Sequence, residues 1–141
     1  MDLSIGELSR CTGVKVPTIR YYERIGLLPP PPRTQGLQRR YSNEAVARLV
    51  FIRHARELGF NLEAIRTLLS LQDNPDQSCA TADGIAKARL AEVEKRIVAL
   101  NRLRSELLRM IEECACGRVA ECRVIEILSD GGHEHGRLAE T

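Results

Sequence analysis

The sequence predicts a mainly α-helical protein with a small N-terminal domain, one long helix and a short C-terminal loop. In the N-terminal part, helix-capping residues and glycines separate short segments whose apolar residues recur at helical spacing. From Ala86, apolar residues alternate at steps of four and three, which is the pattern of a coiled coil. Cysteines flank that repeat, with Cys79 before it and Cys114 and Cys122 after it. The predicted segments are a domain over 1–71, a linker over 72–80, a helix over 81–113, a loop with a short helix over 114–128 and a tail over 129–141.

Two short helices open the chain. Ser4 and Glu7 form a capping box, in which each side chain accepts a hydrogen bond from the backbone of the other residue, and Gly13 ends the first helix. Pro17 fits the first turn of the second helix, which continues to Gly26. Two helices separated by so short a turn predict a helix-turn-helix.

A wing and two further helices complete the predicted domain. The tetraproline at 29–32 excludes a helix, and Gly36 followed by the alternating residues 37–41 predicts a small two-stranded wing. Ser42 is the capping residue of a third helix and Asn61 begins a fourth, and apolar residues at helical spacing follow each. We therefore expect this domain to form its own core.

The long helix carries about four heptads. Their core positions are Ala86, Leu90, Val93, Ile97, Leu100, Arg104, Leu107, Ile111 and Cys114. The stretch from Thr81 to Glu113 contains no proline, so an unbroken helix would hold its two ends about 45 to 50 Å apart. No single ion could bind both Cys79 and Cys114 of one chain across that distance. A dimer of antiparallel helices would instead place Cys79 of one chain beside Cys114 of the other.

Composition and charge restrict the class of function. No hydrophobic run is long enough to span a bilayer or to act as a secretory signal, which predicts a cytoplasmic protein with no membrane partner. Five cysteines in such a protein are more often metal ligands or redox switches than disulfides. Only 4% of the residues are aromatic and tryptophan is absent, which argues against a substrate pocket, so we do not expect an enzyme. Residues 1–60 carry ten Lys or Arg and five Asp or Glu, and this net +5 favours a nucleic-acid-binding N-terminal half.

Five motifs of the N-terminal half resemble those of a known family. They are Ile5-Gly6-Glu7-Leu8, Thr18-Ile19-Arg20-Tyr21-Tyr22-Glu23 with Gly26-Leu27-Leu28-Pro29, Arg39-Arg40-Tyr41, Phe51-Ile52-Arg53 and Leu58-Gly59-Phe60. Together with the coiled-coil helix and the cysteine loop, they are similar to the MerR family of transcription regulators over nearly the whole chain. The resemblance implies a mainly α fold, in which a winged helix-turn-helix domain precedes a long antiparallel coiled-coil dimerisation helix and a short C-terminal metal-binding loop.

The resemblance also implies a mechanism. A homodimer would bind double-stranded promoter DNA whose spacer between the RNA polymerase recognition elements is too long. Binding of an effector would untwist and bend that DNA, and the promoter would become readable without release of the protein. Deforming duplex DNA costs a few kcal/mol, which protein contacts can offset. The same dimer would therefore repress without its effector and activate with it.

By the same resemblance, seven residues contact DNA. The second helix would meet the major groove and its backbone, and residues of the wing side would hold phosphates. Arginine offers paired donors to phosphate or guanine, and tyrosine adds a neutral donor on a rigid ring. The expected contacts are Lys15, Thr18, Arg20, Tyr21, Arg33, Arg39 and Tyr41. Tyr22 lies at core spacing and is expected to pack inward.

The cysteines predict a site for a soft metal. Thiolates suit zinc, cadmium, lead, mercury or monovalent copper. In the family members that sense divalent metals, the positions of Cys79, Cys114 and Cys122 bind the ion together, whereas the monovalent copper sensors usually have serine at the position of Cys79. Three thiolates with a divalent ion leave the same single negative charge as two thiolates with a monovalent one. The resemblance together with Cys79 therefore favours zinc, cadmium, lead or mercury, with metal efflux or detoxification genes as the natural targets.

The remaining thiols and histidines have more open roles. Cys116 could bind a second ion, exchange metal or simply be exposed, and the sequence favours none of these. His133 and His135 could extend the metal site, although a mobile tail is the simpler interpretation. Cys11, on the first helix, is predicted to be a small buried apolar residue.

Three alternative functions are weighed against this one. One is a monovalent copper sensor of the same family. Another is a redox sensor, because Cys114, Cys116 and Cys122 also resemble part of the loop that holds an iron–sulfur cluster in some members, although Ile111 stands where those members carry a fourth cysteine. An alternative of another class is a thiol oxidoreductase or metal-buffering protein, in which a cation such as Arg118 would activate a thiol. That alternative leaves the DNA-binding half without a purpose.

Overall fold

The computed structural model of the chain describes residues 2–31, 40–113 and 117–132. Its helices are α1 (Ile5–Thr12), α2 (Val16–Arg24), α3 (Asn43–Glu57), α4 (Leu62–Gln72), α5 (Ala80–Glu112), a 3-10 helix (Val119–Glu121) and α6 (Arg123–Ser129). The predicted mainly α fold class is confirmed. The chain divides into two compact units, Met1–Ile85 and Ala86–Thr141, with the boundary inside α5. None of the helices among the described residues combines the length and the apolar character needed to cross a membrane.

Local signals set the ends of the first two helices. The Ser4 hydroxyl accepts a hydrogen bond from the Glu7 backbone N–H, and the Glu7 carboxylate accepts one from the Ser4 N–H, both at 3.2 Å. Gly13 ends α1 in the left-handed region at φ 73°, where its N–H donates to the Ser9 carbonyl. Pro17 lies in the first turn of α2, where the missing N–H costs nothing. The predicted capping box and helix-turn-helix are confirmed.

The first unit closes a core of its own. Twelve hydrophobic residues from α1 to α4 and the segments between them form one buried cluster. Its members are Leu8, Val14, Ile19, Tyr22, Leu27, Leu28, Tyr41, Leu49, Ile52, Ala55, Ile65 and Leu69. Helices α3 and α4 begin at the predicted caps, where the side chains of Ser42 and Asn61 accept backbone N–H bonds.

Only the edge of the predicted wing falls among the described residues. Leu3 and Tyr41 exchange two backbone hydrogen bonds of 2.8 Å in an isolated antiparallel bridge. Residues 32–39, which hold most of the predicted two-stranded wing, lie outside the described residues. The bridge therefore joins the segment before α1 to Tyr41, two residues before α3.

Arginines of α3 and α4 tie down the ends of the helix-turn-helix. Each donates to a backbone carbonyl at the end of α1 or just after the end of α2, at 2.8 to 2.9 Å. The pairs are Arg53 with Thr12, Arg66 with Ile25 and Arg48 with Leu27. These bonds fix α1 and α2 on the α3–α4 layer.

The second unit has a different pattern of burial. Met110 and Ile127, each 5% exposed, are its buried hydrophobic residues among those described. Val93 is partly buried, but five larger side chains at the predicted heptad positions are between 45% and 64% exposed in the single chain. They are Leu90, Ile97, Leu100, Leu107 and Ile111. We call this stripe of α5 the apolar seam.

Candidate DNA-binding helix and metal site

Helix α2 divides into an inner and an outer face. Ile19 and Tyr22 are buried in the core of the first unit, as predicted for Tyr22. Burial raises the pKa of the Tyr22 hydroxyl above its ordinary value, so this side chain stays neutral at physiological pH. Arg20 and Tyr21 lie on the outer face, where both are exposed. The outer face is therefore available to a partner, while the inner face fixes the orientation of the helix.

Two further predicted DNA contacts, and a cation that was not predicted, lie along the same helix. Lys15 is the exposed N-cap residue of α2, and Thr18 is half-buried in its first turn. The guanidinium carbon of Arg24 lies 5.8 Å from the centre of the Tyr21 ring, at cation–π distance. The sequence analysis did not single out Arg24, although its spacing of three residues from Tyr21 is the signal that could have found it.

Tyr41 occupies a different kind of position. It is 1% exposed, and its hydroxyl donates a 2.6 Å hydrogen bond to the Glu23 carboxylate of α2. This bond links the segment before α3 directly to α2, the second helix of the helix-turn-helix. The structure thus gives Tyr41 a contact inside the domain, and its contact with phosphate stays a prediction. The two wing candidates, Arg33 and Arg39, lie outside the described residues.

The two described cysteines of the predicted metal site each lie beside the start of a helix. Cys79 is exposed, and its carbonyl accepts a 2.9 Å hydrogen bond from the Asp83 N–H in the first turn of α5. Cys122 is half-buried between the 3-10 helix and α6, and its carbonyl accepts a 3.0 Å bond from the Glu126 N–H. The backbone of both cysteines is therefore held by helical hydrogen bonds.

The other metal candidates cannot be located in the same way. Cys114, Cys116, His133 and His135 lie outside the described residues. Cys11 is exposed on α1, so the expectation that it is buried was wrong. The buried residues of α1 are Leu8 and Thr12, whereas the Cys11 side chain is exposed, so its thiol lies outside the core.

The length of α5 separates the two ends of the predicted site. Its 33 residues extend for about 50 Å at the α-helical rise. Among the described residues, no three side chains of His, Cys, Asp or Glu are grouped closely enough to hold a metal ion. Thiolates are suitable donors for a soft ion, and Cys79 and Cys122 stand before and after this helix in the sequence.

An ion pair lies next to the cysteine loop. The Nε atom of Arg123 donates to Glu113 at 2.8 Å, and its Nη1 atom lies 3.0 Å from Glu126. Hydrogen bonds to Glu113 first, and then to Glu126, raise the pKa of the Arg123 guanidinium above its ordinary value. The sequence analysis missed this pair because its partners are ten residues apart and belong to no common helix.

The whole chain is similar to characterised regulators. A family profile described as "MerR HTH family regulatory protein" matches residues 3–72, and one described as "MerR, DNA binding" matches residues 46–110. The HTH-type transcriptional regulator ZntR of Escherichia coli strain K12 is 42% identical over 131 residues, which are 90% of this chain and 92% of that protein. The chain belongs to the MerR family. The predicted resemblance is therefore confirmed.

Solved MerR structures extend the similarity to the fold. The lead(II) complex of PbrR691 from Ralstonia metallidurans CH34 has 35% identity and a TM-score of 0.78, and the match covers 90% of this chain and 99% of that one. The mercury(II) complex of MerR from Bacillus megaterium MB1 has 31% identity and a TM-score of 0.67, covering 87% and 95%. Both matches extend well beyond the helix-turn-helix, and both of these proteins are transcription regulators.

Proposed function

We propose that this MerR-family regulator binds promoter DNA as a homodimer in the cytoplasm and activates transcription when a divalent soft metal ion binds at its dimer interface. In each of two equivalent sites, one subunit would supply Cys79 and the other Cys114 and Cys122. Zinc, cadmium, lead and mercury are the candidate ions, and metal efflux or detoxification genes are the candidate targets. The observation that carries the proposal is the position of the cysteines at opposite ends of a 33-residue helix with an exposed apolar seam.

The apolar seam supports the dimer. A chain rarely leaves a helical stripe of large aliphatic side chains half exposed unless another chain covers it, and Arg104 is the charged exception among the core positions of this stripe. Because the seam repeats in heptads, its natural partner is a second helix of the same kind, and an antiparallel copy would bring Cys79 of one subunit to the Cys114 end of the other. We therefore propose that residues 81–113 act as the dimerisation helix and residues 114–128 as the metal-binding loop.

The outer face of α2 supports the role in DNA binding. We propose that residues 1–71 form the DNA-binding domain and that Arg20, Tyr21, Lys15 and Thr18 contact the major groove and its backbone. Arg24 joins this set because it stacks on the Tyr21 ring and adds a positive charge. The buried inner face and the arginine bonds to the helix ends would hold α2 rigid during DNA deformation. A rigid α2 would pass a change in the dimer on to the DNA. That change would untwist the overlong spacer between the RNA polymerase recognition elements.

The donor chemistry supports a divalent ion. Cys79 is exposed at the start of α5 and so is accessible to a partner chain. A third thiolate leaves a divalent ion with the same single negative charge that two thiolates leave with a monovalent one, and the lead(II) and mercury(II) complexes of the MerR relatives agree with the divalent class. Ile111, where an iron–sulfur site would need a ligand, is part of the apolar seam and 64% exposed. That position serves the dimer rather than a cluster.

A mixed dimer provides the sharpest test of a shared site. In homodimers, Cys79→Ser and Cys114→Ser should each abolish tight binding of cadmium at both sites. In a heterodimer of the two variants, one site carries both substitutions and the other carries none, so one tight site per dimer should return. Cys11→Ser, which removes an exposed thiol of the first unit, is the matched control and should bind normally.

Promoter-driven transcription in vitro tests the regulatory function. Each ion is added in turn at a buffered free concentration, on a promoter fragment selected by binding to the full chain. We expect at least one divalent soft ion to raise transcript yield and the Cys79, Cys114 and Cys122 variants to stay inactive. If no soft ion changes transcription and none of the three Cys→Ser changes alters metal affinity, the proposal is wrong.

A further inference from the structure

The ion pair between Glu113 and Arg123 joins two residues that are neighbours of metal candidates in the sequence. Glu113 immediately precedes Cys114, and Arg123 immediately follows Cys122. The 2.8 Å contact therefore links the residues just outside the two cysteines. Because neighbouring Cα atoms are about 3.8 Å apart, fixing the flanking residues also limits how far the two cysteines can separate.

Arg123 is itself held in place from two sides. Its Nη1 atom pairs with Glu126, one turn further along α6, while its Nε atom pairs with Glu113. Helix α6 also buries Ile127, so the element that carries Arg123 is packed rather than projecting into solvent. A guanidinium that uses different nitrogens for two carboxylates has a defined orientation.

We propose that Glu113 and Arg123 are positioning residues of the metal site, and that their ion pair holds the two ends of the cysteine loop together before the ion arrives. The inference rests on the proposed function, since it assumes that Cys114 and Cys122 of one subunit bind the same ion. Closing a flexible segment costs conformational entropy. When the ion pair has already closed the loop, binding of the ion does not bear that cost, and affinity rises.

Exposure separates this role from a role in folding. The Arg123 and Glu113 side chains are 38% and 43% exposed, and ion pairs this accessible contribute little to the stability of a fold. Their loss should therefore leave α5 and the dimer intact. An exposed ion pair can favour the closed loop only modestly, so its loss should weaken metal binding by no more than about fivefold. The effect should appear in metal affinity and not in thermal unfolding.

The test measures affinity of the full-length dimer for zinc and cadmium by competition with a chelator. Glu113→Gln and Arg123→Gln should each weaken binding by about threefold to fivefold. The double variant should be no weaker than Arg123→Gln alone, because both changes break the same contact between Glu113 and Arg123. Arg123→Lys, which keeps the charge, should recover most of the affinity. At saturating cadmium, the thiolate-to-metal absorption should match the unchanged protein, because the same thiolates still bind.

Arg118→Gln is the matched control. Arg118 also belongs to the loop region and pairs with a glutamate, Glu121, at 3.3 Å. These two residues are only three positions apart, so their pair does not connect the two ends of the cysteine loop. Its loss should leave affinity unchanged. Equal losses in Arg118→Gln and Arg123→Gln would overturn the proposal, because any change of loop charge would then suffice.

The cysteine variants separate failure of this inference from failure of the proposed function. If Cys114→Ser and Cys122→Ser lose affinity while Glu113→Gln and Arg123→Gln bind normally, the ion pair does not position the ligands but the metal site stands. If the two cysteine variants bind normally, the proposed metal site is wrong and the inference fails with it.

Discussion

The two units of this chain bury their apolar residues to different extents. The described residues of Met1–Ile85 include twelve buried hydrophobic residues, which form one core. In Ala86–Thr141, the described residues bury two large hydrophobic side chains and leave the apolar seam of α5 about half exposed. Burial of apolar surface is the main favourable term in folding. We infer that the first unit is stable within one chain, whereas α5 needs a second chain.

This difference suits the proposed division of labour. A DNA-binding domain with a closed core can keep a fixed surface whether or not an effector is present. In the proposed dimer, a helix that depends on its partner would link folding of the second unit to assembly, and the proposed metal site would then not form in a monomer. The predictions below test each half of the comparison.

The largest effect should come from a charge placed in the apolar seam. Ile97→Asp should dissociate the dimer, because a carboxylate in a coiled-coil core would be desolvated without a partner. Analytical ultracentrifugation measures the change, and metal affinity should fall with it. Val98→Asp is a close control, since Val98 and Ile97 are neighbours with 50% and 51% exposure but Val98 is not a heptad core position. Equal dissociation by both variants would contradict an interface along the seam.

The next effect concerns the core of the first unit. Leu49→Ala should lower the free energy of unfolding of this unit by about 2 to 5 kcal/mol, because Leu49 is fully buried and its loss leaves a cavity. Chemical denaturation followed by circular dichroism checks this value. Leu58→Ala, at a side chain 66% exposed, should change it by about 0.5 kcal/mol or less. Dimer affinity should be unchanged in Leu49→Ala below its unfolding transition, and a weaker dimer there would show that the units are not independent.

A smaller effect should separate the DNA surface from the metal site. Arg20→Ala should weaken operator binding by about 1 to 3 kcal/mol, because a guanidinium on the outer face of α2 would be lost. Binding isotherms by fluorescence anisotropy at fixed salt give the value. Arg10→Ala removes an exposed cation of α1 and serves as the control. Cadmium affinity should stay the same in both variants, and normal operator binding by Arg20→Ala would remove this residue from the DNA surface.

The smallest effect is a pH dependence at the start of α1. Hydrogen bonds from the Ser4 backbone and side chain lower the pKa of Glu7 below its ordinary value. The unfolded chain therefore binds a proton more readily than the folded one, so this contribution is present above the ordinary carboxyl pKa and is lost as pH falls through the lowered pKa. Glu7→Gln should remove that part of the acid sensitivity. The measurement is the difference in unfolding temperature between neutral and acidic pH. If Glu7→Gln shows the same difference as the unchanged protein, Glu7 does not contribute to the acid sensitivity.

Much of the fold could be predicted because its signals are local. Capping residues satisfy backbone N–H groups within three residues, so Ser4, Ser42 and Asn61 mark helix starts without reference to the rest of the chain. The heptads are equally local, and α5 begins one residue before the predicted helix and ends one residue before its predicted end. Family motifs extended this reasoning to DNA and metal contacts, which remain proposals.

The sequence by itself determined which segments are helical, where they begin, which family the motifs resemble and that its cysteines flank one long helix. The tertiary structure decided which polar groups meet across the chain: the arginine bonds to the ends of α1 and α2, the Tyr41–Glu23 bond, the Glu113–Arg123 pair and the outward position of Cys11. The physical reason is range. A cap or a heptad is satisfied by residues one turn apart, whereas a donor on α3 finds a carbonyl 41 residues earlier only after the apolar core has brought the two helices together.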